Sequence, residues 1–149
     1  MTMADEITVS HVTKDYGQER GNFDIDFSVA PGEAFGLVGE NGAGKTTLIR
    51  QMMGFVRPDK GKITIDGLDS YLRAYLTKKL IGYVPGEINF PDIKTGSEFL
   101  KIYGKMKGAT NTKLADSLIK RLQLDVRAYP KRMSKGMKQK TAIVLSLVG

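Results

Sequence analysis

The chain has 149 residues, 41% hydrophobic and 26% charged, proportions that suit one ordinary soluble domain with its own core. It has no cysteine, which excludes disulfides and thiolate metal sites, and no apolar run near the roughly 18 residues of a membrane span. A formal net charge of +7 suits ATP, a nucleic acid or an anionic membrane surface as partner without choosing among them. Met1 to Glu6 is polar and acidic, unlike a secretory signal, so a cytosolic location is expected.

Ile7 to Val12 alternates apolar and polar residues, as a half-exposed strand does, and gives His11 a structural place. Lys14 to Asn22 reads as a loop, Phe23 to Val29 alternates again, and Pro31-Gly32-Glu33 is a turn. Ala34 to Val38 is a short apolar run that predicts a buried strand. Gly39-Glu40-Asn41-Gly42-Ala43-Gly44-Lys45-Thr46 follows and matches G-x-x-x-x-G-K-[ST] at every fixed position. Thr47 to Met53 has helical spacing, with Leu48, Met52 and Met53 on one face.

Strand, glycine loop and helix is the order that phosphate binding needs. Glycines let backbone N–H groups turn inward without Cβ clashes. A helix start adds its free N–H groups and the positive end of its dipole. Lys45 offers a charge for the outer phosphates, and the Thr46 hydroxyl can ligate Mg²⁺.

Pro58 to Gly61 predicts another turn and Lys62 to Gly67 another alternating strand. Leu72 to Leu80 predicts a helix, and Ile81 to Val84 a short buried strand ended by Pro85-Gly86. Thr95-Gly96-Ser97-Glu98 is a capping-box pattern, and Phe99, Leu100, Ile102, Tyr103 and Met106 continue it as an amphipathic helix. Lys113 to Leu124 predicts a second helix, with Leu114, Leu118, Ile119 and Leu122 in register. Ser134 reads as the N-cap of a third, followed by Met137, Thr141, Ile143, Val144, Leu145 and Leu147. The expected division is an α/β core over 1–91 and a helical subdomain over 92–149.

With these pieces in order, the chain resembles the ATP-binding subunit of ABC transporters from about Ile7 onward. Pro31 to Thr47 is similar to the family's lead-in and Walker A motif. Ile81-Gly82-Tyr83-Val84-Pro85 resembles the strand before the Q-loop, and Met133-Ser134-Lys135-Gly136-Met137-Lys138-Gln139 resembles a degenerate signature motif. The resemblance implies a P-loop NTPase core with N-terminal antiparallel strands and a helical subdomain, ending before the Walker B strand. It implies Tyr16 stacked on adenine, and ATP held by Gly39, Asn41, Gly42, Ala43, Gly44, Lys45, Thr46 and Thr47, with Mg²⁺ on Thr46. Ser134, Lys135, Gly136 and Met137 would face the γ-phosphate of ATP held by a second ATP-binding subunit. An integral-membrane permease is implied as partner, contacted around Gly86 to Met106, with the chain peripheral at the inner face of the membrane; no nucleic acid is expected.

The chain departs from the family at the Q-loop, where Gly86 and then Glu87 stand in place of glutamine. Glu87 is a candidate substitute ligand for Mg²⁺. The family's catalytic glutamate, Mg²⁺-anchoring aspartate and switch histidine would lie beyond Gly149, so slow hydrolysis is expected of this chain, and its open sheet edge suggests marginal folding, dimerisation or swapping. The leading expectation is an exporter-type subunit. The alternatives are a soluble ABC-type ATPase acting on nucleic acid or ribosomes, a binding-only fragment, and an unrelated P-loop kinase or GTPase, although no guanine-reading Asn-Lys-x-Asp is present.

Overall fold

A computed structural model describes residues 5–108 and 113–148, which fall into two compact units, Met1–Leu80 and Ile81–Gly149. In the first, β1 (Ile7–Asp15) lies between β2 (Gly21–Val29) and β3 (Lys60–Ile65), and the two-residue β4 (Leu68–Asp69) completes an all-antiparallel order β2-β1-β3-β4. The alternating segments become strands as predicted. β3 starts two residues early because the turn before it is drawn onto β1: the Asp59 N–H donates to the Thr13 carbonyl at 2.8 Å.

Both ladders of β1 slip beside His11. Val9 faces Phe27 and Val12 faces Ile25, while on the other side Ser10 faces Lys62 and Thr13 faces Lys60. His11, at φ 47°, is the bulged residue. The bulge has a packing consequence. Residues three apart on a regular strand point to opposite faces. Here Val9 and Val12 both enter one core with Leu48 and Ile63, each at most 2% exposed. The His11 ring holds the bulge through a 2.8 Å contact from Nδ1 to Asp24 Oδ1, and the backbone N–H of His11 donates to Asp26 at 3.2 Å.

Two helices accompany this sheet. α1 (Lys45–Met52) lays Leu48 and Met52 on the core, and α2 (Ala74–Leu80) follows β4. The predicted strand Ala34 to Val38 is not formed. These five residues are irregular and exposed, Val38 at 95%, with Phe35 stacked on Phe27 at 4.5 Å between ring centroids. A buried strand needs hydrogen-bonding neighbours, and the described residues supply none to this segment. Ile81 to Val84 is irregular for the same reason.

The second unit contains α3 (Gly96–Lys107), α4 (Lys113–Arg121) and α5 (Lys135–Ser146). Their shared core comprises Ala115, Leu124, Val144 and Val148, with Leu100, Tyr103, Leu118, Ile119 and Leu122 packed against it. Ile102, Met106, Leu114, Ile143 and Leu147, read as parts of apolar stripes, are instead exposed. Thr95 caps α3 by accepting from the Glu98 N–H at 3.1 Å, as its capping pattern predicts. The division between the units falls after Leu80 rather than after residue 91. Ile81 accepts a hydrogen bond from Lys107 Nζ at 2.9 Å, and Gly82 lies so close to Ser146 that a Cβ would come within 2.3 Å of its carbonyl oxygen. No helix among the described residues is long and apolar enough to cross a membrane.

The hydrogen bond to Asp24, with the charges of Asp26 and Asp24, raises the His11 pKa above 6.5. A raised folded-state value means that the contribution to stability is full below the unfolded value and is lost as pH rises through the folded one. An NMR titration of His11 should give a midpoint above 6.5, falling on Asp24→Asn substitution.

Candidate phosphate-binding site

The loop before α1 is built on positive φ. Gly42 sits at φ 92° and Gly44 at φ 83°, the left-handed region that a side chain disfavours. Gly44 has a second reason to be glycine: a Cβ there would lie 2.1 Å from the Gly21 carbonyl oxygen and 3.0 Å from Asn22 Cβ. Gly44 is the N-cap of α1 and makes no side-chain cap bond. The first-turn amides of an α-helix have no partner within the helix, so this end is equipped to receive an anion.

A cavity of about 410 Å³ opens at this point, lined by Tyr16, Arg20, Gly21, Asn41, Gly42, Gly44, Lys45, Thr46, Thr47 and Arg50. The structure therefore brings Tyr16, which is 25 or more residues from every other lining residue except Arg20 and Gly21, to the same cavity as the glycine loop. Gly39 and Ala43 complete the loop outside that lining, with the Cβ position of Gly39 3.3 Å from Ala43 Cβ. Lys45 Nζ donates to the carbonyls of Gly39 and Glu40, the latter at 2.6 Å, so its ammonium is folded into the loop. The Cβ position of Gly42 meets nothing within 4 Å, which leaves space on that side of the loop. These donors fit a polyphosphate: backbone amides, one ammonium, two guanidinium groups, the hydroxyls of Tyr16, Thr46 and Thr47, and no carboxylate in the lining. Mg²⁺ would draw on the Thr46 hydroxyl, with phosphate oxygens and water supplying the rest of its shell.

Arg20, Gly21 and Arg50 also line the cavity, and motif reading passes over them. Arg20 follows Tyr16 within one loop, and Arg50 lies a little over one turn beyond Lys45 on α1. Those spacings were available in the sequence, although no motif names them.

The loop carrying Tyr16 is anchored at its base. Asp59 accepts from Lys14 Nζ at 2.7 Å and from the Asp15 N–H at 2.9 Å, and Lys14 Nζ stands 5.5 Å from the Tyr16 ring centroid. The Lys14 hydrogen bond, then that from Asp15, lowers the Asp59 pKa. Gly17 extends the turn by donating to Asp15 Oδ1 at 2.7 Å.

Glu87 and the Ser134 region belong to the second unit. Ser134 Oγ accepts from the Met137 N–H at 3.2 Å and so caps α5, while its own O–H remains a donor. Gly86, Glu87, Ile88, Asn89, Lys135, Lys138 and Gln139 line a groove of about 360 Å³. Glu87 thus shares its surroundings with two lysines. Gly136 is exposed, and Met137 is half-buried.

Replacing Asp59 by Asn should free the base of the Tyr16 loop. The expected result is broadened or shifted Tyr16 and Gly17 resonances with the sheet resonances retained. In the unmodified chain the same change should appear only as pH falls through the depressed Asp59 value, because the contact needs the carboxylate.

Known proteins resemble this chain over most of its length. The family described as "ABC transporter" matches residues 23–149. The "Nod factor export ATP-binding protein I" of Rhizobium etli is 37% identical over 147 residues, which is 95% of this chain and 46% of that protein. The "ABC transporter ATP-binding protein NatA" of Bacillus subtilis is 35% identical over 133 residues, 84% of this chain and 53% of that protein. A solved "ATP binding subunit of ABC transporter" superposes with a TM-score of 0.81 at 28% identity, over 93% of this chain and 60% of that one. A "bacterial Atm1-family ABC exporter with ATP bound" gives 0.79 at 27%, over 99% of this chain and 28% of that one. The chain spans about half the length of the curated relatives it matches. Its glycine loop, helix and antiparallel strands are therefore those of a P-loop α/β nucleotide-binding fold, and the chain belongs to the ABC transporter family as part of its ATP-binding domain.

Proposed function

We propose that this chain binds Mg-ATP at the cavity over α1 and works within the ATP-hydrolysing subunit of a transporter, of the export type. The observation that carries the reading is the convergence of Tyr16, Lys45, Thr46 and Thr47 on one cavity at a helix N-terminus. Lys45 leaves the Gly39 and Glu40 carbonyls and takes the β- and γ-phosphates. Thr46 ligates Mg²⁺ and Thr47 receives the α-phosphate. Gly39 to Gly44 supply the surrounding backbone amides. Tyr16 stacks on the adenine, a contact that any base face supports. Arg20 and Arg50 add positive potential at the mouth.

Two similar proteins favour the export reading, the Nod factor export protein and the bacterial Atm1-family ABC exporter. A second ATP-binding subunit would present its own nucleotide to Ser134, Lys135, Gly136 and Met137, where the Ser134 hydroxyl keeps a donor and Lys135 adds a charge. Glu87 shares a groove with Lys135 and Lys138, which favours a charge role there over Mg²⁺ ligation. The permease would meet α3, where Ile102 and Met106 lie one turn apart and are 42% and 80% exposed. That placement keeps the chain at the cytoplasmic side of the membrane.

Calorimetry tests the nucleotide site. Lys45→Ala should weaken Mg-ATP binding at least about tenfold, the value of one lost hydrogen bond to a charged group. Thr46→Ala should keep binding to ATP without Mg²⁺ and lose most of the Mg²⁺ enhancement. Equal binding by Lys45→Ala and the parent would refute the site. Met106→Glu should abolish co-purification with the permease and leave ATP affinity unchanged.

A further inference from the structure

The most buried side chain of α1 is a glutamine. Gln51 is 0% exposed and Asn22 is 3% exposed, beside a core that is otherwise Val9, Val12, Leu48 and Ile63. Asn22 Nδ2 donates to Gln51 Oε1 at 2.8 Å. Asn22 Oδ1 and Gln51 Nε2, equally buried, find no partner among the described residues.

Such a pair is a poor source of stability. One hydrogen bond between neutral groups stabilises only modestly, and each buried orphan costs as much or more. An apolar pair of the same size would serve the core at least as well. What the amides supply is direction. Gly44 and Gln51 are seven residues apart, so they lie on the same face of α1, about 10 Å apart along its axis. Helical side chains lean toward the N-terminus, so the Gln51 amide reaches back along this face.

Asn22 meets both ends of that span. Its Cβ touches the position of Gly44, and its amide takes Gln51. Its neighbour Gly21 places a carbonyl against Gly44 and lines the nucleotide cavity. Gly21 is itself fixed: at φ 139° a Cβ would fall 1.8 Å from the Lys14 carbonyl oxygen. Behind Gln51, Ser70 Oγ donates to the Gln51 carbonyl at 3.0 Å, holding the last turn of α1 from the other side.

We infer that Asn22 and Gln51 are positioning residues for the phosphate loop: the buried amide pair fixes the axial and rotational setting of α1, and through it the aim of the amides at Gly42 to Thr46. The inference rests on the nucleotide-binding reading, but its structural half is measurable without nucleotide. Leucine at both positions should keep the core filled while removing the direction.

The test compares the ¹⁵N-labelled chain with Gln51→Leu, with the double variant Asn22→Leu/Gln51→Leu, and with the reciprocal exchange Asn22→Gln/Gln51→Asn. Amide resonances of Gly42 to Thr46 are followed first without ligand and then with Mg-ATP. The parent and the reciprocal exchange should show one sharp set of loop resonances, and the two leucine variants a broadened or doubled set. The double-leucine variant should melt no earlier than the parent yet bind Mg-ATP about five- to tenfold more weakly, with the reciprocal exchange back to within about twofold. A double-leucine variant with native loop resonances and native affinity would overturn the inference and leave the pair merely structural. If the parent itself ignores Mg-ATP, the function proposed above fails, while the ligand-free resonances still decide this inference.

Discussion

The seating of Gly44 on the Gly21 carbonyl is the contact from which the candidate site is built. It brings the first residue of β2 against the first turn of α1 at a distance no side chain tolerates. Gly44 must therefore be glycine where the two distant segments cross, and Gly21 must be glycine for its own approach to the Lys14 carbonyl. Once they cross, the loop that ends at Arg20 and the loop that ends at Gly44 must face one another. The cavity between them holds Tyr16 on one side and Lys45, Thr46 and Thr47 on the other. The anion-binding power of the helix end is generic. The direction in which it points is set by this crossing and by the Asn22–Gln51 pair behind it.

The sheet serves the same end. The bulge at His11 lets Val9 and Val12 share one face, and that face is where Leu48 and Met52 of α1 land. A regular strand would have sent one of those valines to the far side and left the helix with a narrower floor. An exposed His11–Asp24–Asp26 cluster thus has a structural effect on a helix that it does not touch. Asp59 acts comparably on the other wall: by binding Lys14 and the Asp15 amide, it fixes the base of the segment that presents Tyr16.

Much of this was legible in the residues, for identifiable reasons. The glycine loop, the Thr95 and Ser134 caps and the alternating strands are local signals, in which chemistry and spacing lie within a few residues of each other. Ala34 to Val38 and Ile81 to Val84 read as strands because they are apolar and short. Strand formation, however, depends on neighbours elsewhere in the chain, and none of the described residues pairs with them. Gln51 was invisible for a different reason. A polar residue in an amphipathic helix reads as solvent-facing, and its partner Asn22 lies 29 residues away. Arg20 and Arg50 belong to no motif, and only the folded cavity shows that they face it. The exposure of Ile102 and Met106 shows the converse error, since apolar spacing on α3 looked like core and proved to be surface.

The proposed site requires a nucleotide polyphosphate to seat on the N-terminus of α1 with its base toward Tyr16. The most direct measurement is a two-dimensional NMR titration of the labelled chain with Mg-ATP, following the Gly42 to Thr47 amides together with the Tyr16 ring. Binding there should give saturable shifts in both sets with a single apparent Kd, upfield for the ring protons as the base stacks on them. Saturable shifts confined to residues elsewhere, with the Gly42 to Thr47 amides unmoved, would contradict it.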